Sequence, residues 1–135
     1  LEPKELWLTK DEMHIGFKQL PRVRIQQESV DIDKADRFNP ALTKLPELTI
    51  NHQLKEPLAE LRRFTEQFTG KVIFSVASEG RREALLDLLA RIKLRPMVCA
   101  NLTEAVESPS NYTMVIGAAE NGFLLSDPHV AFICE

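Results

Sequence analysis

The sequence predicts an α/β fold, an open, mainly parallel sheet with flanking helices, and three observations carry the prediction. Lys71-Val-Ile-Phe-Ser-Val76 is a nearly continuous apolar run, rich in β-branched and aromatic residues, of the kind buried on both faces of a parallel sheet. Apolar residues at helical spacing flank it, with Leu58, Leu61, Phe64 and Phe68 before and Leu85, Leu88, Leu89 and Ile92 after. Beyond it, strand-like and helix-like stretches alternate, which calls for crossovers between parallel strands.

Taken in order, Leu6-Trp-Leu8 is a short apolar segment, and Thr9 with Glu12 three residues on forms a capping box. Met13, Phe17 and Leu20 make one helical face. Gly16 weakens this helix, Pro21 ends it, and Arg22-Val-Arg-Ile25 alternates as a strand does. A strand, helix, strand beginning is expected, followed by a long connection through residues 27–44 and a short strand over residues 47–50. Trp7, with Leu6 and Leu8, is expected in the core, the alternative being an interface exposed by excision.

Pro57 suits the first turn of the next helix, and Gly70 suits a left-handed stop at its end. After the central strand, residues 77–80 make a polar turn. The helix that follows should carry Asp87 and Arg91 paired on its outer face. Residues 97–100 read as a second strand, 102–107 as a short helix, 112–116 as a third strand and 130–134 as a fourth. The expected organisation is residues 1–45 as the N-terminal segment and connection, and 46–135 as the α/β domain.

The chain has 135 residues, enough for one core, and its 20 acidic and 17 basic residues give a formal net charge of −3. No basic excess draws its whole surface to nucleic acid or anionic lipid. No run approaches a membrane span and the start lacks a signal-peptide layout, so a cytoplasmic chain without membrane contact is expected. Cys99 and Cys134 each sit in an apolar run without partners at zinc spacing, and are expected as reduced core thiols. The absence of an initial methionine and a final strand-like run that stops at Glu135 suggest a piece of a longer protein.

In open α/β sheets ligands bind beyond the C-terminal strand ends, which points to residues 77–82 and 117–122. Ser78, Glu79, Gly80, Arg81 and Arg82 lie near a helix N-terminus, where free N–H groups and the positive dipole end favour anions, and form the candidate interaction or anion site. Capping and solvated arginines are the simpler reading. Ser-Glu-Gly-Arg-Arg matches neither phosphate-binding glycine motif, and Glu79 opposes an anion. Lys71 follows Thr69-Gly70 but enters a strand, so it is read as structural. Glu12, Glu60, Asp87 and Glu104 fall at solvent-facing helix positions. His14, His52 and His129 fit no catalytic or metal motif, so no catalytic residue, cofactor or metal ligand is expected.

The run from Gly70-Lys-Val-Ile-Phe-Ser through Glu79-Gly-Arg-Arg-Glu-Ala to Leu89 closely resembles bacterial transcription-repair coupling factors. Gly117-Ala-Ala-Glu120, Gly122-Phe123, Phe132-Ile-Cys-Glu135 and the segments around Trp7 and Pro21-Arg-Val23 resemble further stretches of that family. The resemblance implies the end of a UvrB-like N-terminal module and a small α/β domain before the RNA-polymerase-interaction domain. It also implies that the parent uses ATP and Mg in other domains, and that its partners are RNA polymerase, UvrA and double-stranded DNA. For this chain it implies contacts with neighbouring domains and a non-catalytic scaffold role. A second resemblance, to the second RecA-like lobe of helicases, implies a degenerate lobe and, as the alternative function, a nucleic-acid or nucleotide-binding module.

Overall fold

The structure is a computed structural model that describes residues 7–48, 55–117 and 119–135. It divides into two compact units, Leu1–Asn39 and Pro40–Glu135. The division falls earlier than the sequence reading placed it, because a strand within the expected connection belongs to the sheet of the second unit.

In the first unit the described regular element is helix α1 (Lys10–Lys18), opened by the expected capping box. The Thr9 hydroxyl accepts from Glu12 N at 3.2 Å, and Glu12 Oε2 accepts from Thr9 N at 2.8 Å, so two amides at the helix start are satisfied reciprocally. Accepting from Thr9 N, and from the Thr9 hydroxyl at 2.7 Å, holds the Glu12 carboxyl below the ordinary glutamate range. No residue of α1 is buried. The strand expected at residues 22–25 does not form: the segment has no regular secondary structure and no ladder partner among the described residues. Trp7 is 75% exposed, contrary to its core assignment, since nothing described in this unit forms a core to receive it. Leu6 lies outside the described residues.

The second unit is built on a six-stranded mixed sheet of β1 (Leu42–Lys44), β2 (Lys71–Val76), β3 (Met97–Val98), β4 (Tyr112–Ile116), β5 (Phe123–Leu125) and β6 (Val130–Cys134). The spatial order is β1-β5-β6-β2-β4-β3. The run at residues 71–76 is central as expected, parallel to β4 on one side and β6 on the other. β3 joins β4 in parallel, while β5 pairs antiparallel with both β6 and β1. The short strand expected at 47–50 is not formed at Glu47 and Leu48, and residues 49 and 50 lie outside the described residues.

Three helices accompany the sheet: α2 (Ala59–Gln67), α3 (Glu79–Ala90) and α4 (Leu102–Glu107). Alternation along the strands gives each sheet face its own core. One face presents Val72, Phe74, Met114 and Ala131 to Leu58 at the start of α2, to Leu61 within it and to Leu89 of α3. The other presents Ile73, Val115, Val130 and Phe132, with Ala105 of α4 against them. Full burial of a side chain such as Phe74 or Leu89 stabilises by about 1.5–3 kcal/mol.

Local chemistry sets the helix ends. Leu61 and Thr65 of α2 point inward, while Arg62–Glu66 and Arg63–Glu60 pair outside at helical spacing. α2 ends with Phe68 in an extended conformation, and Gly70 does not adopt the left-handed geometry expected of it. The need for glycine there is steric: a Cβ would meet the His129 carbonyl oxygen and lie 2.7 Å from Phe68 Cε1. α3 is instead the helix followed by a left-handed residue, Lys93 at φ 61°, with Leu94 N donating to Leu89 O at 3.1 Å. The expected Asp87–Arg91 ion pair is absent among the described residues; Arg82 pairs with Glu83 on that helix.

Candidate functional site

The C-terminal ends of β2, β4 and β6 meet at the edge where the sheet architecture directs a search. Gly117 N donates to Val76 O at 3.0 Å, and the Ser75 hydroxyl donates to Gly117 O at 3.3 Å. From the other side Glu135 N donates to Ser75 O at 3.2 Å. The two turns singled out in the sequence therefore lie beside one another, with Glu135 joining them from β6. Ala118 lies outside the described residues.

All five candidate residues fall on the first turn of α3 or its cap. Ser78 is extended and caps the helix, its hydroxyl accepting from Arg81 N at a long 3.4 Å. Glu79 and Gly80 open the helix and are exposed. Glu79 complements the positive dipole end with its own carboxylate. Arg81 Nη1 contacts Glu135 Oε1 at 3.0 Å, and Arg82 Nε contacts Glu83 Oε1 at 2.9 Å. Glu135 is the partner that sequence reasoning missed, because the contact spans most of the domain and exists only once β6 lies beside β2.

The arrangement organises charge within the chain. Each guanidinium faces a carboxylate, and a third carboxylate stands in the first turn, so an arriving phosphate would meet paired arginines and one excess negative charge. These residues do not fit a nucleotide phosphate. The Arg81–Glu135 pair is half in solvent and contributes about 0–1 kcal/mol. Its effect is geometric, setting the end of β6 against the start of α3.

Elsewhere, Lys71 has the structural role read from its strand position. Its ammonium donates to Ser110 O at 2.9 Å and to Ser108 O, tying the start of β2 to the turn before β4. Both cysteines are unbridged, with Cys99 buried and Cys134 partly so. Burial pushes both thiols up; for Cys99 the nearby Glu104 adds to this and Lys71 opposes it. Glu12, Glu60, Asp87 and Glu104 are exposed as expected. His129 packs its ring against Phe68 at 4.3 Å, and His52 lies outside the described residues. Among the described residues no cluster of His, Cys, Asp and Glu could hold a metal ion, and no helix is long and apolar enough to cross a membrane.

Fold and site together define a small mixed α/β domain whose most suggestive turn is turned inward on its own carboxylates. The chain matches the family "MFD, D3 domain" over residues 64–135, more than half its length, and belongs to that family. It is 47% identical to the transcription-repair-coupling factor of Escherichia coli over 135 residues, all of this chain and 12% of that protein. The corresponding protein of Haemophilus influenzae is 42% identical over 125 residues, 93% of this chain and 11% of that protein. That of Buchnera aphidicola is 26% identical over 91 residues, 67% of this chain and 11% of that protein. The chain thus spans about an eighth of the curated relatives it matches.

Proposed function

We propose that this chain is a non-catalytic interdomain scaffold of an ATP-dependent DNA translocase that couples transcription to nucleotide excision repair by displacing stalled RNA polymerase. The observation that carries the reading is the surface of the first unit. Val23 and Ile25 are 90% and 91% exposed on a segment with strand-like alternation that has no ladder partner among the described residues. Trp7, Ile15, Phe17, Leu20 and Phe38 are exposed in the same unit. So many large apolar side chains exposed in one unit support a contact with other protein.

The relatives' shared name supports the coupling role, and the chain's small share of their length supports a part within a larger machine. On this reading ATP and Mg are handled by other domains of the parent. RNA polymerase, UvrA and double-stranded DNA are the parent's partners, and the setting is cytoplasmic. This domain contributes spacing and packing between its neighbours. Its paired arginines support that role over anion binding, because an anion would have to displace two carboxylates.

Titration of this chain with duplex DNA and with ATP at low salt tests the proposal. No binding and no ATP turnover are expected. Binding that is lost when Arg81 and Arg82 are both replaced by alanine would overturn the scaffold reading in favour of a nucleotide or nucleic-acid module.

A further inference from the structure

The far edge of the sheet has a different character from the end where the arginines sit. β3 is the terminal strand, paired on one side with β4, and among the described residues no strand covers its outer side. Its Met97 is 47% exposed. Beside it lies an open hollow of about 550 Å³ lined by Met97, Asn101, Thr103, Glu104, Glu107, Ser108 and Pro109. Two carboxylates line this hollow and no cationic side chain does. Glu104 uses Oε2 to accept from Ala100 N at 2.8 Å, which anchors it at the start of α4. Glu107 has no ion-pair partner among the described residues. Lys71, close behind, directs its ammonium to the carbonyl oxygens of Ser108 and Ser110 rather than to either glutamate.

The two acids stand three residues apart on α4, which puts them on one helical face. Met97 and Pro109 contribute exposed apolar surface to the hollow, beside the polar side chains of Asn101, Thr103 and Ser108. The Met97 and Pro109 surface beside two carboxylates matches the build of a long cationic side chain, whose stem prefers apolar surface while its head takes charge-assisted hydrogen bonds. It disfavours nucleic acid, whose phosphates the glutamates would repel. Leu102 and Val106, exposed on the adjoining flank of α4, extend the contact surface beyond that one side chain.

We infer that the β3–α4 edge is a docking surface for a basic segment of another domain of the same polypeptide, with an arginine or lysine stem on Met97 and its head between Glu104 and Glu107. The inference rests on the interdomain reading above and supplies the chemistry of one partner. The same polypeptide is favoured as its source because this chain is about an eighth of its relatives' length. A tethered segment reaches such a surface at high effective concentration, so a small contact suffices.

Oxidative footprinting of the full-length parent, followed at individual methionines, tests this directly. Met97 reports the edge, and Met114, fully buried on the neighbouring strand, reports that the sheet is intact. In the unmodified parent Met97 should oxidise slowly despite its exposure here. Glu107→Lys, which opposes like charges across the contact, should raise that rate about tenfold while Met114 stays unreactive. An unchanged Met97 rate with Met114 protected overturns the inference. Should Met114 become reactive in that variant, Glu107→Gln replaces it: a smaller rise supports the docking and an unchanged rate overturns it. The DNA and ATP titrations read the opposite arginine-bearing turn, so failure of either reading is distinguishable from failure of the other.

Discussion

Gly70 and Gly80 flank the same strand and answer to opposite constraints. At Gly70 an added Cβ would run into the His129 carbonyl, which is itself fixed by accepting from Lys71 N at 3.0 Å. The backbone there cannot give without loosening the β2–β6 ladder. Gly80 has nothing within 4 Å of a Cβ and lies in the first turn of α3. Gly70→Ala should therefore destabilise by about 1–3 kcal/mol, as overpacking does. Gly80→Ala should stabilise by roughly 0.5–1 kcal/mol through helix propensity and a less flexible unfolded chain. Urea melts of the two variants check both signs, and equal stability of Gly70→Ala and the parent sequence would refute the steric account.

Among the elements, α1 offers the clearest pH dependence. The Glu12 carboxyl lies below its ordinary range because it accepts from the Thr9 backbone and side chain, so the folded helix favours the ionised form. Its stabilisation is complete above the ordinary glutamate pKa and is lost as the pH falls through the lowered value. Acidification should fray the start of α1, an effect that Glu12→Ala extends to all pH values and that Glu12→Gln, whose amide oxygen still accepts from Thr9 N, largely abolishes. Helical circular dichroism of a peptide spanning residues 7–20, followed from neutral to acid pH, measures it. This capping box was legible in the sequence because it is a local exchange of two hydrogen bonds. The helices and long parallel strands were legible for a related reason, since burial imposes their periodicity. β1 and β5 were not, because each is three residues long and forms only by pairing with a strand brought from elsewhere in the chain. Residues 22–25 fail in the opposite sense: the alternation is present, but a ladder needs a second strand and none is described. At the candidate site the Ser78 cap could be read from sequence, whereas the Arg81–Glu135 pairing depends on strand order.

On the scale of the whole molecule, the sheet belongs to Pro40–Glu135, and its boundary is set by β1. A chain beginning at Pro40 should keep the sheet, since it retains the Leu42–Leu125 pairing and the packing of Leu45 on the core. A chain beginning at Pro46 should lose roughly 1–3 kcal/mol, from exposure of the apolar surface those residues cover. Thermal melts of the two truncations compare them directly, and equal midpoints would show β1 to be dispensable. The strand order also has a consequence for synthesis. β2 lies between β4 and β6, and its first residue, Lys71, pairs with Val130. The most deeply buried strand is therefore made early and acquires its second neighbour late. On the ribosome β2 must wait, exposed or shielded by other factors, until β6 has cleared the exit tunnel, so the domain is expected to close late in its own translation.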